Sequence, residues 1–295
     1  MKEINKNRYM GYHALYGNPI KRKIVRFIYL IIFGPLFQTS FFKNFITACL
    51  IDPFKVMKIR TIGIDLVLNI SSYTSKRMIE EFKLSKTEEK TQIWLKNNLK
   101  DGDIFMDVGS NIGAYMIFVN KLRKLKKSIA IEASSINTKE LLQNIYLNRL
   151  EKNNIDVIHA AAGDENKLTV FDIPNVRTAD GHGKVTSKIG KNIGKSFRKT
   201  YGDHSIREIV NLRRLDDLFK ELNLIHPNVI LMDIDAHEVN ALKGMHNILS
   251  SRLLRAIIIE VRESTLKDVE RIVSSYGFIC KEKNIEGVGN IVFTK

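Results

Sequence analysis

Asp107-Val108-Gly109-Ser110-Asn111-Ile112-Gly113 is the stretch on which the fold turns. It continues Ile104-Phe105-Met106, so an apolar run of strand length ends in a glycine-bent turn. Residues 112–125 then repeat apolar positions at helical spacing. A strand, a glycine turn and a helix start bring unpaired N–H groups and the positive end of the helix dipole to the mouth of the turn. Such a mouth suits a nucleotide-like cofactor. The spacing is D-x-G-x-N-x-G rather than G-x-G-x-x-G. The dinucleotide fingerprint's second glycine is Asn111 here, and its third is Ala114, which that fingerprint tolerates.

Outward from this turn the pattern is regular. Residues 128–132 read as a second buried strand ending in Glu132. An acid at that place accepts both hydroxyl protons of a ribose diol, although a helix-capping acid would look the same. Asp107 reads either as a contact for a cationic cofactor or as a brace for the loop amides. A helix is expected over 137–150 and a strand over 155–160. Strands 167–173 and 209–213 are expected to pair, with a helix over 215–222. The strand 229–234, the helix 239–249, the strand 254–261 and the helix 266–276 follow. Strands 277–283 and 290–294 flank Gly287 and Gly289, which suits a hairpin. Alternation of this kind predicts an α/β fold: a mostly parallel sheet covered on both faces, with an antiparallel C-terminal strand.

Upstream, residues 24–51 are apolar, but Gly34-Pro35 breaks the run well short of the roughly 20 residues a bilayer span needs. Two readings stand: a helical cap packed on the catalytic domain, or an interfacial segment on a membrane, with Lys21, Arg22 and Lys23 toward the headgroups. A hairpin turning at Gly63 is expected over 55–69, and a helix over 87–98. Residues 1–99 therefore read as an N-terminal extension and 100–295 as the catalytic domain. The stretch 174–205 is rich in Gly, Lys, Ser and His and reads as a basic insertion or a substrate lid.

The 295 residues carry a formal net charge of +15, from drift toward Lys or from association with an anionic partner. The two cysteines, Cys49 and Cys280, have no metal-binding or redox spacing, which fits a reducing cytosol.

The segments DVGSNIG, AIEASSINTKELLQNIYLN, VIHAAAGD, NLRRLDDLF and LMDIDAHEVNALKGM occur in that order between residues 103 and 261. As a set they resemble the FkbM family of methyltransferases. The resemblance implies a Rossmann-like class I methyltransferase fold, S-adenosylmethionine as cofactor, and a sugar, glycolipid or polyketide hydroxyl as acceptor. Position by position, it implies that Asp107, Gly109, Ser110, Asn111 and Gly113 line the methionyl side and that Glu132 binds the ribose. Ala161, Ala162 and Asp164 would lie near the adenine, and Asp233 beside the methyl group. The family pattern after the fourth strand reads K-I-D-V-E-G-x-E. Here Leu231, Asp235 and Ala236 replace its Lys, Glu and Gly, while Asp233 and Glu238 remain.

A sugar hydroxyl is a weak nucleophile and calls for a base. Asp233, Asp235 and His237 alternate, so on an extended strand end they share one face. They are the candidate catalytic residues, with Asp235 or His237 as base. The same array could hold a divalent ion, but no further ligands are evident and no metal is expected. A nucleic-acid methyltransferase would suit the basic charge, yet no Pro-Pro-aromatic motif follows Asp233 and neither cysteine suits a nucleophile. A nicotinamide oxidoreductase conflicts with the glycine spacing. A non-catalytic membrane-associated protein is a further alternative. The expected function is O-methylation of a saccharide or glycolipid hydroxyl in the cytoplasm, with peripheral membrane contact through residues 21–51.

Overall fold

A computed structural model describes residues 56–173, 184–186, 206–235, 237–280 and 287–295. The expected segments 21–51 and, save 184–186, 174–205 lie outside these residues. The described chain opens with a hairpin, β1 (Val56–Thr61) and β2 (Ile64–Asn69), whose turn carries Ile62 and Gly63 at positive φ. Helices α1 (Tyr73–Leu84) and α2 (Lys86–Asn98) follow. The α1 helix is absent from the sequence reading. Its start is set by Ser72, whose side chain accepts from the Ser75 amide in a reciprocal capping box.

The core elements are β3 (Ile104–Val108), α3 (Ala114–Leu122), β4 (Lys127–Glu132), α4 (Ser135–Leu147) and β5 (Ile155–His159). Short β6 (Ala161–Ala162), β7 (Lys167–Ile173), β8 (Lys184–Thr186) and β9 (Ile206–Arg213) build a second, four-stranded sheet in the order β6-β9-β7-β8. The β7–β9 pairing is antiparallel, as expected. Then come α5 (Leu215–Glu221), β10 (Val229–Met232), α6 (Glu238–Lys243), α7 (His246–Ser250), β11 (Ala256–Arg262), α8 (Glu263–Ser274), β12 (Ile279–Cys280) and β13 (Val288–Thr294).

The main sheet has seven strands in the order β12-β13-β11-β10-β3-β4-β5. Strands β11, β10, β3, β4 and β5 are parallel; β13 runs antiparallel to β11 and β12 antiparallel to β13. The parallel strands β3 and β10 are buried at every position, because helices cover both faces. One face packs Met106, Val108, Ile129, Ile230 and Ile257 against α6 to α8, and the other packs Phe105, Ala130, Val229 and Ile258 against α3 and α4. The chain winds outward from β3 in both directions, so the strand order reverses between β3 and β10. Ligands of open α/β sheets bind at the carboxyl ends of the strands flanking such a point.

The hairpin and both N-terminal helices belong to the same compact unit as the sheet, which begins at Lys55. Ile59, Leu66, Leu68, Ile79, Phe82 and Leu95 share a hydrophobic cluster with Phe105 and Phe118. Phe82 meets Tyr115 edge-on, with ring centroids 4.9 Å apart, and so fixes α1 over the start of α3. The buried Gln92 amide donates to the Phe82 carbonyl at 2.7 Å and ties α2 to the end of α1.

The single helix expected over 239–249 is two short ones. A Cβ on Gly244 would lie 2.0 Å from the Gly163 carbonyl oxygen, so the chain turns there against another backbone segment. Asp216 caps the second helix, accepting from the Asn247 and Ile248 amides at 2.8 and 3.1 Å. Among the described residues no helix is long and apolar enough to cross a membrane.

Candidate active site

The turn after β3 is built from three left-handed residues: Gly109 (φ 87°), Asn111 (φ 50°) and Gly113 (φ 83°). Asparagine is among the few non-glycine residues that tolerate this region. The Gly109 and Ser110 amides donate to the Ile131 carbonyl at 2.8 and 3.1 Å, and Gly113 N–H to the Ser110 carbonyl at 2.8 Å. The Asn144 amide group holds the Ile112 carbonyl at 2.8 Å. The loop is thus pinned to β4 and α4 on one side.

Glu132 completes the pinning. One carboxylate oxygen accepts from the Asn111 amide and the other from the Ser134 amide, each at 2.8 Å. Asn137 Nδ2 donates to the oxygen that Ser134 also holds, at 3.5 Å, so of a carboxylate's roughly four acceptor positions one remains for a ligand's hydroxyl. Glu132 is buried, and burial raises its pKa against these hydrogen bonds. The acid and the 109–113 turn therefore meet at one mouth, as the ribose-binding reading requires.

That mouth opens into a cavity of about 440 Å³, within the usual range for small-molecule sites. Asp107, Gly109, Ser110, Asn111, Glu132 and Ala162 line it, and so do Asp233, Asp235 and His237. Gly113 and Asp164 do not. Gly113 instead lets the start of α3 close onto α4, because a Cβ there would lie 2.1 Å from Leu141 Cδ1. Gly109 has a similar structural duty against the carbonyl of Asp233.

The expected single face of Asp233, Asp235 and His237 does not form, since β10 ends at Met232 and Asp235 has positive φ. The three side chains line one cavity but have different partners. Asp235 pairs with Arg262 at 2.8 Å. His237 opens α6, and burial lowers its pKa while Asp164 pulls the other way. Asp233 is exposed, its open side being the cavity; crowding by the surrounding protein and then Glu260 push its pKa well up.

Sequence reasoning missed one whole wall. Arg77, Glu81 and Phe82 from α1, Glu88 from α2, Tyr115 from α3 and Glu260 from β11 also line the cavity. The Tyr115 hydroxyl donates to Glu88, and enclosure raises the pKa of both. Only Glu260 left a sequence signal: an acid after Ile257-Ile258-Ile259, at the end of a buried strand, as Asp233 is for β10.

A cofactor with a ribose and two positive charges fits these residues. Asp107 is almost wholly buried, and its Oδ2 has no hydrogen-bond partner. Burial raises its pKa to about 7, with Ser110 opposing and Glu132 adding to the rise. His237 Nε2 and Asn111 Oδ1 are likewise unpartnered beside the cavity. An α-ammonium group would satisfy Asp107, the remaining acceptor position of Glu132 suits a ribose hydroxyl, and Ala161, Ala162 and His237 would flank a flat base.

Fold and site together define a Rossmann-like methyltransferase. The model of the methyltransferase FkbM domain matches residues 107–280, more than half of the chain, and the chain belongs to that family. The glycine turn, Glu132 and the unpartnered Asp107 would fit S-adenosylmethionine as its methyl donor. Among solved structures, the chain is similar to a methyltransferase FkbM from Methylobacillus flagellatus KT, with 18% identity and a TM-score of 0.46. The alignment covers 67% of this chain and 44% of that one, so this chain spans less than half the length of that relative. It is also similar to a precorrin-6y C5,15-methyltransferase from Geobacter metallireducens GS-15, at 11% identity, TM-score 0.42 and 72% and 89% coverage. A third likeness is TYW2 of M. jannaschii, solved in complex with AdoMet, at 14% identity, TM-score 0.40 and 82% and 87% coverage. No curated protein matches the chain.

Asp107 carries a prediction that needs no acceptor. Between about pH 4 and about 7 the folded chain keeps a proton here that the unfolded chain has released, so this group's stability contribution falls as pH rises through that window. Asp107→Asn cannot ionise. Without cofactor it is expected to melt several degrees above wild type at pH 8, with the gap closing toward pH 4, while S-adenosylmethionine affinity drops roughly tenfold. Paired melting curves across pH and calorimetric titration read both effects.

Proposed function

We propose that the chain is an O-methyltransferase acting on a hydroxyl of a saccharide or glycolipid. The observation that carries this reading is the carboxyl-rich wall of Glu81, Glu88, Asp233, Asp235 and Glu260, which lines the same cavity as the glycine turn and Glu132. Carboxylates accept hydrogen bonds from hydroxyls and orient them. A polyhydroxylated acceptor satisfies several at once, whereas a phosphate-bearing nucleic acid would be repelled. Residues 21–51 supply the peripheral membrane contact of this proposal, which places the acceptor at the cytoplasmic face.

The chain's contribution to the reaction is mostly alignment, which removes much of the entropic barrier to an in-line displacement. The turn 109–113 and Glu132 hold the donor, and the acidic wall orients the acceptor and takes its proton. When bound, S-adenosylmethionine supplies an electrophilic methyl carbon on a sulfonium.

The test is transfer of radiolabelled methyl from S-adenosylmethionine to cell-envelope glycan fractions, with RNA and protein fractions in parallel. Base-stable label in a neutral or glycolipid fraction, recovered after acid hydrolysis in an O-methyl sugar, is the expected result. Label confined to RNA or protein overturns the saccharide reading.

A further inference from the structure

Asp233 and Glu260 are the next positions beyond the last registered pair of two parallel neighbours, Met232 of β10 and Ile259 of β11. Both line the cavity. This register sets the two carboxyls side by side, and Glu260 raises the proton affinity of Asp233. Two ionised carboxylates offer only acceptors and repel, so such a pair is favoured when it holds one proton in common. The pair sits beside the cofactor turn: the Asp233 carbonyl is the group against which Gly109 closes.

We propose that the Asp233–Glu260 pair senses the charge of the methyl donor: it holds one proton while no cation lies beside it, releases that proton when the sulfonium arrives, and then serves as the base for the acceptor hydroxyl. The proposal rests on the hydroxyl-methylation reading of this site and names its base. In the transfer the acceptor O–H breaks and its proton goes to the pair. The O–C bond forms as the C–S bond breaks, and the C–S electrons stay on sulfur. The sulfur is then neutral, and the pair keeps the proton it could not hold beside a cation.

The surroundings set the direction. Asp235, Glu81 and Glu88 face the pair from the loop after β10, from α1 and from α2, and their negative charge favours the protonated state. Arg262 opposes them at Glu260, although its guanidinium is engaged by Asp235 at 2.8 Å. Arg77 lines the same cavity. Acids thus outnumber bases around the pair, and enclosure adds to the effect, so the shared proton is favoured until a positive charge enters.

Other candidate bases fit less well. Asp235 already holds Arg262. Asp164 is the charged group felt by His237, and Asp164 does not line the cavity.

The experiment compares S-adenosylmethionine with S-adenosylhomocysteine, which has the same amino group, ribose and base but a neutral sulfur. The full chain is titrated calorimetrically with each near neutral pH, with a chelator to exclude divalent ions. Buffers of unlike ionisation enthalpy, phosphate and Tris, give the protons released. Proton release at Asp107 is common to both ligands and cancels. The expected result is that S-adenosylmethionine releases up to about one proton more than S-adenosylhomocysteine. Glu260→Gln and Asp233→Asn should each erase that difference. Equal release in the wild-type protein overturns the proposal, and so does a difference that survives in both variants. If neither ligand binds, the cofactor reading itself fails. If the difference appears but no glycan fraction is methylated, the proton sensor stands and the saccharide reading falls.

Discussion

Glu132→Ala is expected to raise the dissociation constant for S-adenosylmethionine by two orders of magnitude or more. Two losses add. The first is local. The Asn111 and Ser134 amides both donate to this carboxylate at 2.8 Å, and an alanine leaves two donors unpaired in a buried place. Each costs about 1–3 kcal/mol unless the backbone moves. The backbone that would move is the turn that grips the cofactor. The second is the lost ribose contact, a charge-assisted hydrogen bond from a ribose hydroxyl. Glu132→Gln preserves shape but turns an NH2 toward one of the two amides, so it too should bind at least tenfold more weakly. Calorimetry gives affinity and melting curves give stability. A lower melting temperature with affinity within threefold of wild type would make Glu132 a loop brace only.

The largest effect on stability is expected at Gly109. An added Cβ would lie 1.9 Å from the Asp233 carbonyl oxygen and 2.8 Å from both the Asp233 carbonyl carbon and Ile234 Cγ2. Neither side can yield: β3 and β10 are hydrogen-bonded neighbours with fully buried faces. The residue also has φ 87°, which costs an L-residue about 1–2 kcal/mol by itself. Gly109→Ala should therefore lose at least about 4 kcal/mol, enough to lower the melting temperature by about 10 °C or leave the chain insoluble. Gly277→Ala is the control for strain alone, having φ 86° and nothing within 4 Å. Gly113→Ala should fall between, because its obstacle is the end of the Leu141 side chain. Equal stability of the Gly109 and Gly277 variants would refute the clash argument.

A common cause separates what was legible in the chain from what was not. Strands β3, β4, β10 and β11 are flanked by helices on both faces, so they read as unbroken apolar runs, and an acid or glycine at the end of each stands out. Glu132 and Asp233 were found that way. Glu260 carried the same signal and was passed over. Glu81 and Glu88 carried none, because acids on amphipathic helices usually face water. Glu81 faces the cavity because Phe82 packs on Tyr115 and Phe118 and turns α1 inward, and Glu88 of α2 is held there by the Tyr115 hydroxyl. The even spacing of Asp233, Asp235 and His237 suggested one face, but the strand stops at Met232 and the alternation stops with it.

Local pattern alone settled the succession of main-sheet strands, the parallel sheet with its antiparallel edge, the glycine turn and its partner acid. Each depends on periodicity or on residues a few places apart along one crossover. The tertiary structure decided which acids share the cavity, which carboxyl holds a proton with which, and that Gly113 serves helix packing. Those outcomes depend on contacts between segments far apart in sequence, such as Asp233 with Glu260 or Gly109 with the end of β10, and no local pattern encodes such distances.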